Sequence, residues 1–242
     1  MKLVIIAAGE GSRLRSLGQN IPKTLMSIGG QPVIEYIFDG CRQVGIPHCI
    51  LVTGAQHEMI EDYLRDATPD LDIETVHNPE WRLPNGVSVL QAKPCIPEGE
   101  DFMISMSDHL YGPELLELVH NSSLEGRITN VGVDRNIERI FDLEDGMKIT
   151  FDTSDHALIT GMSKTLASFE AIDCGIFKCR YDFFRFLEAA MEHGRCSLAD
   201  ACNLLIASRE LGSVDIGDHQ WLDIDTPEAF SFAEENYARF VS

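Results

Sequence analysis

The stretch that decides the fold is residues 1–25, MKLVIIAAGEGSRLRSLGQNIPKTL. Residues 3–6 form an unbroken aliphatic run, which predicts a strand buried on both faces. The residues after it have little side-chain bulk, so the backbone can approach a ligand and its amide groups can bind phosphate oxygens. The small residues are Ala7, Ala8, Gly9 and Gly11. Arg13, Arg15 and Lys23 follow, which completes a layout suited to holding a triphosphate.

Two common phosphate-binding motifs do not fit this stretch. The dinucleotide-binding fingerprint requires a third glycine, but Gly9-Glu10-Gly11-Ser12-Arg13-Leu14 has a leucine at that position. The P-loop requires a Gly-Lys-Ser/Thr triplet, which does not follow Gly11. The loop therefore needs a different explanation.

The composition excludes several classes of protein. The chain has 19 basic and 39 acidic residues and a net charge of −20, which opposes binding to nucleic acids and to anionic membranes. It has no apolar run long enough to span a membrane and no basic, then apolar leader. We therefore expect a cytoplasmic protein without membrane insertion. The seven cysteines form no C-x-x-C pair and the eight histidines show no zinc-site spacing, so we expect reduced, mostly buried thiols.

The first half alternates strands and helices. Residues 49–53 and 71–76 are strand-like, and residues 56–67 between them have the spacing of an amphipathic helix. This order predicts a parallel sheet with crossover connections. Asn85 is suited to capping a further helix, whose N-terminus faces the crevice at the carboxyl ends of the strands.

Three aspartates are candidate cation ligands. Asp108 follows a predicted strand at residues 102–106, where it either binds a cation or caps a helix at residues 113–120. Asp223 and Asp225 are two residues apart, so they face the same side of an extended segment. Together the three carboxylates predict a Mg²⁺ site, with Mn²⁺ as a substitute. The alternative for the pair is capping of the last helix, for which Thr226 and Pro227 give the start signal.

The second half of the chain has a pattern of alternating apolar residues that is typical of antiparallel strands. Residues 144–147 lie between apolar alternations and predict a hairpin turn, and alternation continues at 148–151 and 158–161. Strands at 128–133 and 213–216 and helices at 181–193 and 198–208 complete the pattern, the second helix capped by Ser197. Antiparallel strands are therefore added to the parallel sheet.

The pattern Ala7-Ala8-Gly9-x-Gly11-Ser12-Arg13-Leu14, followed by Pro22-Lys23, resembles the signature of the nucleotidyltransferases that activate sugar and alcohol phosphates. The resemblance extends to Pro227, and its nearest form is the CTP:inositol-1-phosphate cytidylyltransferase group. It implies an α/β fold, a three-layer α/β/α arrangement around a mixed, mostly parallel sheet, which is the Rossmann-like fold of nucleotide-diphospho-sugar transferases. It further implies one domain over residues 1–242, with a nucleotide-binding half at 1–110 and an acceptor-binding half at 111–242.

The resemblance also implies residue roles. Arg13 and Lys23 are the expected catalytic cations, which hold the β- and α-phosphates during transfer. The expected nucleotide-binding residues are Ala7, Ala8, Gly9, Gly11, Ser12, Asn85, Gly86 and Ser88. Asp108 matches the metal ligand of the family, although Ser107 stands where the family has glycine.

The acceptor and metal residues leave alternatives open. The resemblance assigns Lys164, Asp173 and Gly175 to the acceptor, but Lys164 is equally suited to solvent and Asp173 to a strand edge. The family motif Trp-x-Asp-x-x-Thr matches Asp223, whereas some cytidylyltransferases use the position of Asp225. The sequence does not choose between these two ligands.

The reaction implied is transfer of a nucleotidyl group from an NTP, preferably CTP, to inositol 1-phosphate or a sugar phosphate, with release of pyrophosphate. Within the same class, the alternative is a phosphocholine or 2-aminoethylphosphonate cytidylyltransferase. From another class, the alternative is a nucleotide-sensing subunit without catalysis. The expected partners are the NTP and a small phosphorylated substrate, and a homodimer stays open.

Overall fold

The structure is a computed structural model that describes residues 1–17, 21–67 and 70–241. The side chains of residues 15–17 are outside this description, and so is the predicted cationic role of Arg15. The strands are β1 (Lys2–Ala7), β2 (Ser27–Ile28), β3 (Gln31–Pro32), β4 (His48–Thr53), β5 (Asp72–His77), β6 (Phe102–Met106), β7 (His109–Tyr111), β8 (Thr129–Asp134), β9 (Lys148–Phe151), β10 (Ile159–Ser163), β11 (Ala171–Cys179), β12 (Leu211–Asp215) and β13 (Trp221–Asp223). The helices are α1 (Val33–Val44), α2 (His57–Asp66), α3 (Gly86–Gln91), α4 (Pro113–His120), α5 (Phe183–Glu192), α6 (Leu198–Ala207), α7 (Pro227–Asn236) and α8 (Ala238–Val241).

The main sheet has β1 at its centre. Its order is β10-β9-β11-β6-β1-β4-β5, and β8 and β12 join it through β11. β6, β1, β4 and β5 are parallel neighbours, while β11 is antiparallel to β6, β8 and β9. Since only β10 and β11 run against the other strands, the sheet is mixed and mostly parallel, which confirms the predicted fold class.

Helices cover both faces of this sheet. Leu3 and Ile5 point to the face covered by α1, α2 and α4, whereas Val4 and Ile6 point to the face covered by α3, α5 and α6. This alternation along a strand buried on both faces explains the unbroken aliphatic run in the sequence. The result is the three-layer arrangement that the sequence resemblance implies.

The C-terminal segment is brought back to the centre of the molecule. β13 pairs with β7 in a two-stranded antiparallel ribbon, in which Asp223 lies opposite His109. Residues of α7 and α8 pack with Leu14 and Met26, next to the loop that follows β1. This packing places residues 221–225 beside the end of β6.

All three predicted caps occupy the N-cap positions of their helices, and the side-chain capping bond is confirmed for two of them. Ser197 accepts from the amide of Asp200 in a capping box, and Thr226 accepts from the amide of Ala229. The Asn85 side chain makes no capping bond to α3 and accepts instead from the amide of Leu198, at 2.9 Å.

Two further expectations are corrected. Asp108 does not cap the helix at residues 113–120, because α4 begins after Gly112. Residues 144–147 do not form a hairpin turn, since the segment before β9 consists of turns and not a strand. The β9 hairpin partner is β10, across the loop 152–158.

None of the helices among the described residues combines the length and apolar character that crossing a bilayer requires. All seven cysteines are free thiols, and six are buried, as the sequence predicts.

Candidate active site

A cleft of about 350 Å³ opens where β1 and β6 end, and we call it the β1 cleft. The predicted nucleotide-binding residues other than Gly86 line it, and so do Arg13 and Lys23. Its position follows from the parallel pairing of β1 with β6 and β4, because parallel strands end at the same edge of the sheet.

Two glycines allow the loops around this cleft to approach each other. Gly11 has φ +59, a conformation that favours glycine, and a Cβ there would lie 3.2 Å from the Cβ of Lys23. A Cβ on Gly54 would lie 2.6 Å from the Ala8 carbonyl oxygen, which accepts from the amide of Ala55 at 3.0 Å. The loops after β1 and β4 are thus held together at the mouth of the cleft.

A second cavity of about 300 Å³ adjoins the first, and we call it the β11 cavity. It is lined by all three predicted acceptor-binding residues, Lys164, Asp173 and Gly175. Asn85, Met106, Asp108 and Asp225 line both cavities. The two spaces therefore meet at the carboxylates of Asp108 and Asp225.

Lys23 lies at this junction. Its Nζ is 2.7 Å from Asp108 Oδ2 and 3.9 Å from Asp223 Oδ1, and it donates to Asp225 Oδ1. Burial alone would lower the pKa of Lys23, but the three carboxylates outweigh it and raise that pKa above its ordinary value. Lys23 is consequently a permanent cation at the point where the cavities join.

Asp108, His109 and Asp223 form a second cluster beside Lys23. Their ligand atoms lie within 4.8 Å of one another, an arrangement that can hold a metal ion. Asp108 Oδ1 and Asp223 Oδ1 are buried, and neither has a hydrogen-bond partner among the described residues. Buried carboxylate oxygens require compensation, and a hard divalent cation supplies it. These residues therefore fit Mg²⁺ or a related ion.

The two carboxylates of this cluster differ in protonation. Burial would raise the pKa of Asp108, but Lys23 and His109 hold it below its ordinary value. Burial, reinforced by the charge of Asp108, raises the pKa of Asp223 to about 7. Burial would lower the pKa of His109, yet Asp223 and Asp108 raise it. The charge of Asp108 is therefore part of the reason that Asp223 holds its proton more tightly than an ordinary aspartate does.

One carboxylate connects the cations of the two cavities. Asp145 Oδ2 is 3.0 Å from Arg13 Nη1 in the β1 cleft, and its Oδ1 is 2.6 Å from Lys164 Nζ in the β11 cavity. Arg13 Nη1 is also 3.4 Å from Asp225 Oδ2. Hydrogen bonds from Lys164 and Arg13 lower the pKa of Asp145. Lys164, for which the sequence left acceptor binding and a solvated side chain open, thus lies in an ion network at the cavity and is 49% exposed.

The Asn85–Ser88 segment forms the start of α3, and its side chains contact neighbouring elements. Ser88 accepts a hydrogen bond from the Asn78 side chain at 3.0 Å and lines the β1 cleft. Gly86 does not line either cavity, since a Cβ there would lie 2.5 Å from the Cys196 carbonyl oxygen. Gly86 therefore permits close packing between α3 and the start of α6.

Asp173 and Gly175 shape the floor of the β11 cavity. Asp173 Oδ1 accepts from the amide of Gly175 at 2.7 Å, and burial raises the pKa of Asp173 to about 6. Gly175 has φ +78, and a Cβ on it would overlap the His109 ring. The backbone there can therefore lie directly against that imidazole.

Two residues of the site were not predicted from the sequence. The sequence pattern places Asp145 in a hairpin turn, and nothing in that pattern indicates an ion pair with Arg13, 132 positions away. His109 follows a predicted metal ligand directly, and this Asp-His adjacency was the available signal.

Comparison with known proteins identifies the family of this chain. The sequence profile described as Nucleotidyl transferase matches residues 2–140. The Bifunctional IPC transferase and DIPP synthase of Aquifex aeolicus is 26% identical over 93% of this chain and 49% of its own length. The chain thus spans about half the length of the curated relatives it matches.

Solved structures show the same fold. The inositol-1-phosphate CTP transferase from T. maritima has a TM-score of 0.84 at 21% identity, covering 100% of this chain and 97% of the other. A UDP-glucose pyrophosphorylase from Acinetobacter baumannii has a TM-score of 0.78 at 19% identity, covering 98% and 92%. These likenesses establish the fold.

Proposed function

Since this chain belongs to the nucleotidyl transferase family, we propose that it joins an NTP, preferably CTP, to a small phosphorylated alcohol and releases pyrophosphate. The observation that carries the proposal is the meeting of two cavities at Asp108, Asp225 and Lys23. One cavity has the backbone-rich loop suited to a nucleotide, and the other has polar side chains suited to an acceptor. An NTP in one cavity and an acceptor in the other would meet beside the carboxylates that both cavities share.

The reaction requires positioning and charge stabilisation. A phosphate oxygen of the acceptor attacks the α-phosphorus of the NTP, and the bond to pyrophosphate breaks. The acceptor needs no general base, because the second pKa of a phosphate monoester is about 6. Arg13 and Lys23 stabilise the charge on the α-phosphate and on the leaving pyrophosphate. Lys23 is suited to this role because it stays protonated among its carboxylates.

The ion we propose for the site is Mg²⁺ or Mn²⁺, held by Asp108 and Asp223. When bound, such an ion neutralises phosphate charge and aligns the reacting groups. We assign Asp223 rather than Asp225 as the second carboxylate ligand. Asp225 is engaged on both oxygens, by Lys23 and by Arg13, whereas neither oxygen of Asp223 lies within hydrogen-bond distance of Lys23 or His109.

The acceptor we propose is a polyol phosphate such as inositol 1-phosphate, or a sugar phosphate. Asp173 and the Asn85 amide offer hydrogen-bonding groups to hydroxyls, and Lys164 offers a cation to the phosphate. The names of the Aquifex aeolicus relative and of the T. maritima structure support this choice.

A cationic acceptor, such as phosphocholine or 2-aminoethylphosphonate, is the second candidate. The observation that favours it is the combination of acidic and aromatic groups in the β11 cavity, where Asp173 and Asp223 lie with Phe177 and Trp221. Such groups bind alkylammonium ions. The choice between the acceptors depends on whether hydroxyls or a cation satisfy Asp173.

The test is pyrophosphate release with each of the four NTPs and a panel of acceptors. The panel contains inositol 1-phosphate, glucose 1-phosphate, phosphocholine and 2-aminoethylphosphonate. We expect CTP to exceed UTP by roughly tenfold to a hundredfold, because a mismatched base leaves buried polar groups unpaired. UTP equal to CTP would move the chain to another branch of the family. Absence of pyrophosphate with every pair would favour a nucleotide-sensing protein.

A further inference from the structure

His109 lies inside the carboxylate cluster, and the reaction proposed above gives it no role. Its side chain is only 9% exposed, and its Nδ1 lies 2.8 Å from the carbonyl oxygen of Cys174. A carbonyl oxygen can only accept a hydrogen bond, so Nδ1 carries a proton. In the neutral imidazole the lone pair is therefore on Nε2.

The Nε2 atom faces both buried carboxylates. It lies 3.7 Å from Asp108 Oδ1 and 3.8 Å from Asp223 Oδ2, which is too far for hydrogen bonds. Two donor atoms that each bind one ion at about 2.1 Å lie at most about 4.2 Å apart. Both spacings therefore suit an ion shared by the imidazole and the carboxylates.

The His109 ring is held from several sides. Gly175, with φ +78, lets the backbone of β11 contact the imidazole where a Cβ would overlap it. The Trp221 ring packs at 5.2 Å between centroids. A bond from one ring nitrogen to a backbone carbonyl is the usual means of orienting a metal-binding histidine.

Lys23 does not occupy the space between the His109 Nε2 atom and the two carboxylates. Asp108 directs Oδ2 to Lys23 and Oδ1 to His109, and Asp223 directs Oδ1 toward Lys23 and Oδ2 toward His109. Each carboxylate thus has one oxygen for the lysine and one for the imidazole side. A second cation beside His109 does not need to displace Lys23.

We propose that His109 is a ligand of the divalent cation held by Asp108 and Asp223, and that it makes the site favour Co²⁺ and Mn²⁺ over Mg²⁺. Imidazole binds such ions better than it binds Mg²⁺, which prefers oxygen ligands. The inference rests on the proposed metal-dependent function and adds a nitrogen ligand that the sequence pattern did not assign.

The test is pulsed electron paramagnetic resonance of the full chain with Mn²⁺ alone and with Mn²⁺ and CTP. We expect nitrogen hyperfine coupling from an imidazole, and its loss in His109→Asn, whose amide can still donate to Cys174. The exposed His193 provides the matched control, so His193→Asn should keep the coupling. By titration calorimetry, His109→Asn should weaken Co²⁺ binding by about 10- to 100-fold and Mg²⁺ binding less.

Three outcomes would overturn the inference: bound Mn²⁺ without nitrogen coupling in the wild type, coupling that persists in His109→Asn, or no bound Mn²⁺ under either condition. The first would make His109 only a counter-ion of the carboxylates. The wild-type spectrum alone can refute the inference, so the test does not depend on whether the His109→Asn variant folds. If the chain releases no pyrophosphate but shows the nitrogen coupling, the proposed function is wrong and the assignment of His109 as a metal ligand stands.

Discussion

The β1 cleft and the β11 cavity are built in different ways. One side of the β1 cleft is formed by the loop from Ala7 to Arg13, which follows a strand at the centre of the sheet, and by the nearby segment 22–24. The β11 cavity is assembled from side chains of β10, β11, β13, α6 and the segment 145–147. The first region exposes backbone and two cations, whereas the second exposes mostly side chains. Changes in the first should therefore affect catalysis most, and changes in the second should affect acceptor binding.

The largest effect is expected at Lys23. Lys23→Ala should lower kcat by about 10²-fold or more and raise the KM for the NTP much less, because the lost charge stabilises phosphate charge that develops during transfer. The measurement is steady-state pyrophosphate release. Lys93, which pairs with Glu188 outside both cavities, provides the control, and Lys93→Ala should stay near wild type. Full activity in Lys23→Ala would contradict the assignment of the β1 cleft.

The contrast between the regions also explains what the sequence could predict. Residues 3–6, the glycines after them and Lys23 lie close in the chain, so their pattern predicts both the central strand and the cleft. Asp223 and Asp225 were predictable as a pair because an extended segment presents alternate residues on one side. Their neighbours were not predictable in this way.

The remaining features depend on tertiary contacts. Asp145 meets Arg13 and Lys164 only because turns before β9 replace the predicted hairpin. The helix α3 begins after Asn85, as the local signal predicts, but the Asn85 side chain binds the start of α6, 113 residues later, which that signal does not indicate. Such contacts depend on the tertiary structure and cannot be predicted from local propensity.

The next effect compares Asp223 with Asp225. Asp223→Asn should abolish most activity and remove metal binding to the free chain, whereas Asp225→Asn should keep metal binding and lose activity through Lys23. Titration calorimetry with Mg²⁺ and Mn²⁺ separates the two variants. Loss of binding only in Asp225→Asn would reverse the assignment of the ligand.

The raised pKa of Asp223 makes a related prediction about stability. The folded chain holds this proton more tightly than the unfolded chain, so the contribution of Asp223 to stability falls as pH rises from about 4 to 7. Without metal, Asp223→Asn should therefore have a higher Tm than the wild type above pH 7, and the difference should shrink toward pH 4. Thermal melts in a chelator across this range make the measurement. A lower Tm of the variant at pH 8 would contradict this account of the buried charge.

A smaller effect is expected at Asp173, in the β11 cavity. Asp173→Asn should lower kcat/KM for the acceptor about tenfold and leave the KM for the NTP unchanged, since a neutral amide accepts more weakly from hydroxyls. Its pKa of about 6 means that the wild-type advantage should decrease below that pH. Because the acceptor phosphate titrates in both experiments, its effect cancels in the ratio of the wild-type kcat/KM to the variant kcat/KM. A ratio that stays constant from pH 5 to 8 would show that Asp173 does not bind the acceptor as a carboxylate.

The smallest effect is expected at Asp145, the residue that connects the two regions. Its partners are substantially exposed, with side-chain exposures of 55% for Arg13 and 49% for Lys164, so these ion pairs should contribute at most about 1 kcal/mol to stability. Asp145→Asn should therefore change Tm little. It should release both cations from a competing carboxylate, and the KM values for NTP and acceptor should each fall by a few fold at low ionic strength. Since salt screens exposed pairs, the change should vanish near 1 M salt. The exposed pair of Arg65 with Asp62 supplies the control, and Asp62→Asn should leave both KM values unchanged. If both KM values rise instead, Asp145 positions Arg13 and Lys164 for the phosphates, and the two cavities are coupled through it.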